Sequence, residues 1–204
     1  LEYRGYDSTG ISVIDPKNGP TVHKSRGKLQ VLRDVLGNNL PSGTIGIGHT
    51  RWATHGKPTD FNAHPHTDCS TGIVVAHNGI VENYLALKSE LQEKGHKFTS
   101  ETDSEILPHL IESFMAQGYT LEESMRNAAQ RIRGAHAVVA ASKNEPGTIV
   151  AFRLGNAGGI VVGYGKNEML LASDIPALLN HTKTVAYLSA GETVSITDSH
   201  AKYS

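Results

Sequence analysis

Ile73-Val74-Val75-Ala76-His77-Asn78-Gly79 is the stretch of this sequence that decides the fold. Its first four residues are apolar without interruption, which is typical of a strand covered on both faces. The three residues that follow are polar or glycine and mark the end of that strand. A strand covered on both faces needs a layer above it and a layer below it, so this stretch predicts a layered domain.

The sequence on either side of this stretch is rich in short apolar runs separated by turn residues, which predicts many strands. The first two of these runs are separated by Asp15-Pro16 and Gly19-Pro20 and read as a hairpin. The predicted strands lie at residues 11–14, around 21–23, and at 44–49, 73–77, 137–141, 149–153, 160–162, 169–172, 185–188 and 193–196.

Four segments have apolar residues at helical spacing. They cover residues 29–36, about 83–94, about 102–114 and about 120–132. Thr102 with Glu105, and Thr120 with Glu123, have the spacing of capping boxes. Helices grouped between two runs of strands favour an α+β layered domain over a βαβ alternation, and we expect one domain across residues 1–204.

The composition excludes several classes of protein. The 204 residues are 38% hydrophobic and 19% charged, which is typical of a globular domain. A formal net charge of −1 gives no reason to expect a nucleic-acid partner. No apolar run approaches the ~18 residues of a transmembrane helix, so no membrane partner is expected. A single cysteine excludes an internal disulfide and favours a reducing compartment, by default the cytoplasm.

That cysteine, Cys69, lies in the polar stretch 67–72, and no candidate base is near it in sequence. We interpret it as structural or incidental rather than as a nucleophile. Histidines at positions 49, 55, 64 and 66 raise the question of a metal, but they lack the spacing of a known metal signature. We therefore predict neither a metal site nor a cofactor.

The segment 49–56, HTRWATHG, carries the most chemical information. It follows a predicted strand and contains Arg51, whose guanidinium matches a carboxylate in shape and charge. Such a segment suits the α-carboxylate of an amino acid. The alternative is a capped strand end with a half-buried tryptophan.

Three further segments carry weaker signals. Asn78 and Gly79 follow a buried strand and offer a side-chain amide and an unhindered backbone N–H, the donors of an oxyanion hole, although a plain turn would look the same. Residues 100–105, SETDSE, could receive an α-ammonium group or simply begin a helix. Arg4, near the start, could orient a substrate or lie in a surface turn.

The order and spacing of these motifs resemble one family closely. The chain is similar over its length to the glutaminase domains of class II glutamine amidotransferases, and most of all to those of glucosamine-6-phosphate synthases. The motifs that carry the resemblance are EYRGYDS at 2–8, HTRWATHG at 49–56, NAHP at 62–65, HNGI at 77–80 and SETDSE at 100–105.

The resemblance implies a four-layer αββα sandwich of the N-terminal-nucleophile hydrolase type, with two antiparallel sheets between helix layers. It further implies that Arg51 binds the carboxylate of glutamine, with Trp52, Thr54 and His55 completing that wall of the site. Asp103 is implied to receive the α-ammonium group.

The catalytic roles implied by the resemblance fall on Asn78 and Gly79, as the oxyanion hole, and on Arg4, close to the nucleophile. In this family the nucleophile is the first residue of the mature chain, a cysteine whose own α-amino group is the base. The printed sequence begins with Leu1. We expect a front segment of about twenty residues and a following sugar isomerase domain in the parent enzyme, and a fragment that binds glutamine without hydrolysing it.

The implied activity of the parent is hydrolysis of glutamine to glutamate, with the ammonia passing to fructose 6-phosphate to make glucosamine 6-phosphate for amino-sugar and UDP-N-acetylglucosamine synthesis. The expected ligands are glutamine, glutamate and, through the isomerase domain, fructose 6-phosphate, in a homo-oligomeric parent. Three alternatives stay open: a non-catalytic amino-acid-binding or regulatory module, a sister amidotransferase of the phosphoribosylpyrophosphate type, and a histidine-based metallohydrolase.

Overall fold

The computed structural model describes residues 5–52 and 56–204. The strands are β1 (Ser8–Asp15), β2 (Gly19–Arg26), β3 (Ile45–Arg51), β4 (His66–Thr67), β5 (Ile73–Gly79), β6 (His136–Ser142), β7 (Ile149–Leu154), β8 (Val161–Tyr164), β9 (Met169–Ala172), β10 (Val185–Tyr187), β11 (Thr193–Ile196) and β12 (Ala201–Tyr203). The helices are α1 (Leu29–Leu36), α2 (Tyr84–Glu93), α3 (Ile106–Met115) and α4 (Leu121–Arg131), with 3-10 turns at Asp103–Glu105 and Ile175–Ala177.

The strands form three hydrogen-bonded sheets in two layers. A six-stranded sheet has the order β12-β11-β7-β6-β5-β4, and two three-stranded sheets have the orders β2-β1-β3 and β10-β8-β9. All of their pairings are antiparallel. The predicted hairpin is the β1–β2 pair.

The six-stranded sheet is covered on both faces, as the sequence of β5 predicts. One face packs Ile73 and Val75 of β5, with Val138 of β6, against helices α2, α3 and α4. On the opposite face, Val74 and Ala76 pack against Ile14 and Ile47 of the first small sheet.

The second small sheet shares that opposite face of the six-stranded sheet. Ala137 of β6 and Ala151 of β7 pack against Ile160, Val162 and Leu188. Helix α1 lies outside the first small sheet, against β1 and β2. The layers are therefore helices, a six-stranded sheet, a β layer made of two small sheets, and an outer helix.

The predicted elements are present, and the largest shift of a boundary is four residues, at the start of α3, which a 3-10 turn at Asp103–Glu105 precedes. The sequence did not predict the short strands β4 and β12 or the turn Ile175–Ala177. These elements have two or three residues each, too few for a periodic pattern.

One capping box is confirmed and the other is wrong. At α4, Thr120 accepts from the backbone N–H of Glu123, and the Glu123 carboxylate accepts from that of Thr120. Before α3, Thr102 makes no side-chain cap. The Glu105 carboxylate turns instead to the backbone N–H groups of Thr99, at 2.8 Å, and Ser100, at 2.7 Å.

No helix in the described ranges 5–52 and 56–204 is long and apolar enough to cross a lipid bilayer.

Candidate active site

A cavity of about 540 Å³ lies between the two small sheets. Strand β3 is the edge of one small sheet and β9 is the edge of the other, and both edges line the cavity. Its floor is the face of the six-stranded sheet that carries Ala76, Ala137 and Val139. Polar side chains gather at one end of this trough, where strands β3 and β5 both finish.

Arg51 is the last residue of β3 and is 6% exposed. Strand β1 holds its main chain through the pairing of Ser8 with Arg51 and a bond from the Asp7 N–H to the Arg51 carbonyl. Its Nη2 donates to the carbonyl of Gly56 at 3.4 Å. Burial lowers the pKa of Arg51, and the carboxylate of Asp103 opposes that change. The guanidinium of Arg51 is therefore fixed in position by these contacts, and it keeps its positive charge at neutral pH.

Asp103 begins the 3-10 turn ahead of α3 and is 4% exposed. Its Oδ2 accepts from the backbone N–H of Val81 at 2.6 Å. Because Val81 comes two residues after Gly79, this bond ties the turn to the end of β5. The cavity thus has a cation, Arg51, and an anion, Asp103, within electrostatic range of each other on its wall.

Asn78 lies next to the end of β5, and its Oδ1 is 3.0 Å from Nε2 of His49 on β3. Burial lowers the pKa of His49, so its ring is neutral and the proton on Nε2 donates to Asn78. Because Asn78 Oδ1 accepts this bond, the NH₂ group of Asn78 does not face His49. The space available to this NH₂ donor is the cavity.

Gly79 has φ +138°, and an added Cβ would come 2.3 Å from the carbonyl oxygen of Ala135. No other residue type fits without moving the neighbouring chain. The glycine predicted for close approach to a ligand is thus already required by the packing of β5 against the loop before β6.

A chain of buried hydrogen bonds lies behind Asn78 and Gly79. His136 Nε2 is 3.1 Å from the carbonyl of Arg133, an acceptor only, so the His136 proton is on Nε2. His136 Nδ1 then accepts from His77 Nε2 at 3.0 Å, and His77 Nδ1 accepts from the Ser104 hydroxyl at 2.8 Å. Burial lowers the pKa of both histidines, which agrees with two neutral rings and one direction of donation.

Most of the predicted site residues meet in one place. The cavity is lined by Arg51, Trp52, Asn78, Gly79 and Asp103. Trp52 is 62% exposed, with its ring 5.9 Å from that of Tyr6, so the half-buried tryptophan of the alternative interpretation is not observed. The other predicted site residues, Arg4, Thr54 and His55, lie outside the described residues.

Sequence reasoning missed His49, His77, Ser104 and His136 as supports of this site. The first three have a local signal, because each is the immediate neighbour of a predicted motif or lies within it. His136 has none, since only the register of β5 with β6 places it opposite Gly79.

Cys69 does not line the cavity, and burial raises the pKa of its thiol, so it is not an activated nucleophile. The fold nevertheless brings two imidazoles to it from distant parts of the sequence. His109 Nδ1 and His96 Nδ1 lie 3.6 and 3.8 Å from Cys69 Sγ.

Histidines 49 and 64 stack on each other, with ring centroids 4.4 Å apart.

Residues 49–180 match a family model described as the glutamine amidotransferase domain. The chain is 52% identical over 194 residues to the glutamine–fructose-6-phosphate aminotransferase (isomerizing) of Methanothermobacter thermautotrophicus, covering 95% of this chain and 32% of that protein. It is 50% identical over 197 residues to the enzyme of the same name from Thermus thermophilus, covering 97% of this chain and 32% of that protein. The chain spans about a third of the length of these relatives.

Solved structures share the fold. The glutamine phosphoribosylpyrophosphate amidotransferase from B. subtilis superposes with a TM-score of 0.83 at 25% identity, covering 100% of this chain and 44% of that one. A glutamine aminotransferase class-II domain protein from Silicibacter pomeroyi gives a TM-score of 0.68 at 18% identity, covering 96% of this chain and 89% of that one. These likenesses confirm the predicted N-terminal-nucleophile sandwich. The chain belongs to the glutamine amidotransferase domain family.

Proposed function

We propose that this chain is the glutamine-hydrolysing domain of a longer enzyme that transfers the amide nitrogen of glutamine to fructose 6-phosphate. The observation that carries the proposal is the pair formed by Arg51 and Asp103, two buried, oppositely charged side chains on the wall of one cavity. A free α-amino acid has one carboxylate and one ammonium group, and this pair offers each of them its counter-charge.

Asn78 supplies the next element of the site. Its amide is oriented by His49, and it lies at the end of β5 beside Gly79. With glutamine held at its α-carbon by Arg51 and Asp103, the side-chain amide extends into the trough. There the Asn78 NH₂ and the backbone N–H of Gly79 are the proposed donors to the oxyanion that forms on attack.

We propose that the nucleophile enters the trough from a preceding segment. Among the described residues that line the cavity there is no cysteine. The cavity is bordered by two strand edges, β3 and β9, above an apolar floor. Such edges bind a further strand readily, so a cysteine-bearing strand placed there would join the two small sheets and bring its first residue to the polar end.

We propose that the longer enzyme carries a sugar isomerase domain after residue 204 and acts as a homo-oligomer. We further propose that it works in the cytoplasm on the route to UDP-N-acetylglucosamine. The support is the identity of about half of the residues to aminotransferases of which this chain spans about a third. In that enzyme, water releases glutamate from the cysteine thioester, and the ammonia reaches the sugar phosphate.

The rival readings make different predictions. A non-catalytic amino-acid-binding module would keep the ligand site, but would gain no glutaminase activity from a cysteine-bearing front segment. A sister amidotransferase would use phosphoribosyl pyrophosphate in place of fructose 6-phosphate. Assaying the longer protein with both acceptors distinguishes this sister enzyme from the enzyme that we propose.

The test is calorimetric titration of the folded chain with glutamine, glutamate and asparagine. We expect glutamine and glutamate to bind in preference to asparagine, whose side chain is one methylene shorter and buries less apolar surface in the trough. Arg51→Ala and Asp103→Asn should each weaken binding about 10- to 150-fold, because a hydrogen bond to a charged group contributes about 1.5–3 kcal/mol.

Matched controls are Arg126→Ala and Asp198→Asn, which change the same residue types at exposed positions outside the cavity. If the folded chain fails to bind glutamine even after a cysteine-bearing strand is joined to it, the proposal is wrong.

A further inference from the structure

Four side chains of metal-ligating type meet where α3 approaches the loop between β4 and β5, outside the cavity. Cys69 comes from the loop between β4 and β5, and His96 from the segment after α2. His109 and Glu112 both come from α3, where a spacing of three residues places them on one face of the helix. Their ligand atoms all lie within 4.8 Å of one another.

The separations of these atoms match the edges of a small tetrahedron. Cys69 Sγ is 3.6 Å from His109 Nδ1 and 3.8 Å from His96 Nδ1. Glu112 Oε2 is 3.4 Å from His109 Nδ1 and 2.7 Å from His96 Nδ1. Tetrahedral zinc, with bonds of about 2.0–2.3 Å, sets edges of about 3.3–3.8 Å between its ligands. Of these four distances, only the one between His96 and Glu112 is too short and has to open, and the remaining two pairs lie within 4.8 Å.

We propose that Cys69, His96, His109 and Glu112 bind a zinc ion. One thiolate, two imidazoles and one carboxylate form a ligand set of the borderline softness that zinc accepts, and calcium and magnesium take oxygen ligands instead. Four protein ligands complete the coordination sphere, so the site is structural and leaves no position for a substrate.

The groups around the four ligands fit this assignment. Both histidines turn Nδ1 toward the centre of the cluster. Nε2 of His96 is 2.9 Å from Ser113 Oγ, a hydrogen-bond distance, whereas Nε2 of His109 faces Glu105 Oε1 at 3.8 Å without a hydrogen bond. Oriented imidazoles with a second partner of this kind are the normal surroundings of a metal-bound histidine.

The sulfur of Cys69 also has a donor suited to a thiolate. The backbone N–H of Lys97 points to Cys69 Sγ at 3.4 Å. This hydrogen bond stabilises the deprotonated form that a metal requires, and it joins the segment of His96 to the loop of Cys69.

Burial is graded across the site in a way that leaves a path for the ion. The His109 side chain is 1% exposed, His96 is 12% and Glu112 is 23%, whereas Cys69 reaches the surface. The ion can therefore enter from the side of Cys69 and be held against the buried imidazole of His109.

The proposed site also has a structural connection to the candidate active site. Glu105, which faces His109, accepts the backbone N–H groups of Thr99 and Ser100 in the loop that leads to Asp103. A zinc ion would join this loop, the start of α3 and the β4–β5 loop, and so restrain the segment that carries Asp103.

The test is cobalt substitution of the folded chain, produced without a polyhistidine tag and stripped of metal. We expect one cobalt ion per chain with the intense visible bands of tetrahedral geometry and a near-ultraviolet sulfur-to-cobalt charge-transfer band, and one zinc ion should displace it. Cys69→Ser should abolish the charge-transfer band, and Glu112→Gln should weaken binding at least about tenfold.

His181→Asn is the matched control, since it removes an exposed imidazole outside the cluster and should leave the spectrum unchanged. Zinc should raise the thermal midpoint of the parent chain but not that of Cys69→Ser. If the folded parent chain shows no tetrahedral spectrum, or if Cys69→Ser keeps the charge-transfer band, the four residues form only a hydrogen-bonded cluster and the proposal is wrong.

Discussion

His77 Nε2 lies 3.0 Å from His136 Nδ1, and both imidazoles are buried directly behind the end of β5. The Arg133 carbonyl at one end and the Ser104 hydroxyl at the other make every bond of this chain run in one direction. The arrangement tolerates one proton on each ring. A second proton on His136 would leave two N–H groups facing each other, and one on His77 would force the Ser104 hydroxyl to turn from donor to acceptor.

This relationship leads to a pH dependence. Burial lowers the pKa of five histidines, namely His49, His64, His66, His77 and His136, and that of His66 falls to about 3. Below a pH of about 6.5 the unfolded chain therefore binds protons that the folded chain does not take up. The five neutral histidines contribute their full stabilisation of the fold above that pH, and this stabilisation is lost as the pH falls.

We expect the free energy of unfolding to fall steeply from about pH 6.5 to about pH 5, by about 1.4 kcal/mol per pH unit for each histidine that stays neutral. Urea denaturation at a series of pH values, with a chelator present to exclude metal binding, measures this slope. The low pKa of Glu105 acts in the same direction, but its loss begins only below a pH of about 4.3. A free energy of unfolding that stays constant between about pH 6.5 and about pH 5 would contradict the prediction.

Removing the central imidazole tests the same chain of hydrogen bonds by mutation. His77→Ala leaves the Ser104 hydroxyl and His136 Nδ1 buried without their partner and opens a cavity. We expect a loss of about 3–5 kcal/mol in the free energy of unfolding, measured in urea. His200→Ala, at an exposed position, should change it by less than about 0.5 kcal/mol, and equal losses in the two variants would refute the prediction.

Gly79→Ala tests whether backbone geometry sets the residue at the end of β5. Its φ of +138° and the carbonyl of Ala135, 2.3 Å from the new Cβ, both oppose alanine. We expect a loss above about 3 kcal/mol. Gly118→Ala is the control, because Gly118 has φ +94° and no atom within 4 Å of an added Cβ, so it should cost only about 1 kcal/mol. Thermal denaturation of both variants decides the matter.

Asn78→Ala separates binding from chemistry. In the longer, cysteine-bearing protein, we expect kcat for glutamine hydrolysis to fall about 10²- to 10³-fold, because one donor to the oxyanion is lost. The dissociation constant for glutamate should change little, since Arg51 and Asp103 remain. Steady-state kinetics and calorimetry measure the two quantities, and a variant that loses affinity but keeps kcat would show that Asn78 binds substrate instead.

The sequence by itself determined the local structure of this protein and the main polar residues of its site. The apolar run of β5, the helical spacing in α1 to α4 and the Thr120 capping box all act within a few residues, so the printed order of side chains is enough to predict them. Arg51 and Asn78 were predicted because each lies at the end of a strand that the pattern already places, and the resemblance to the amidotransferases singled out Asp103 from residues 100–105.

Only the tertiary structure decided which distant side chains meet. His77 and His136 are 59 residues apart, and the register of β5 with β6 brings them together. Cys69 and His109 are 40 residues apart and meet because α3 packs across β4 and β5. Apolar patterning says that a face is buried but not what covers it, so strand order, register and helix placement, and with them both candidate sites, depend on the packing of the whole chain.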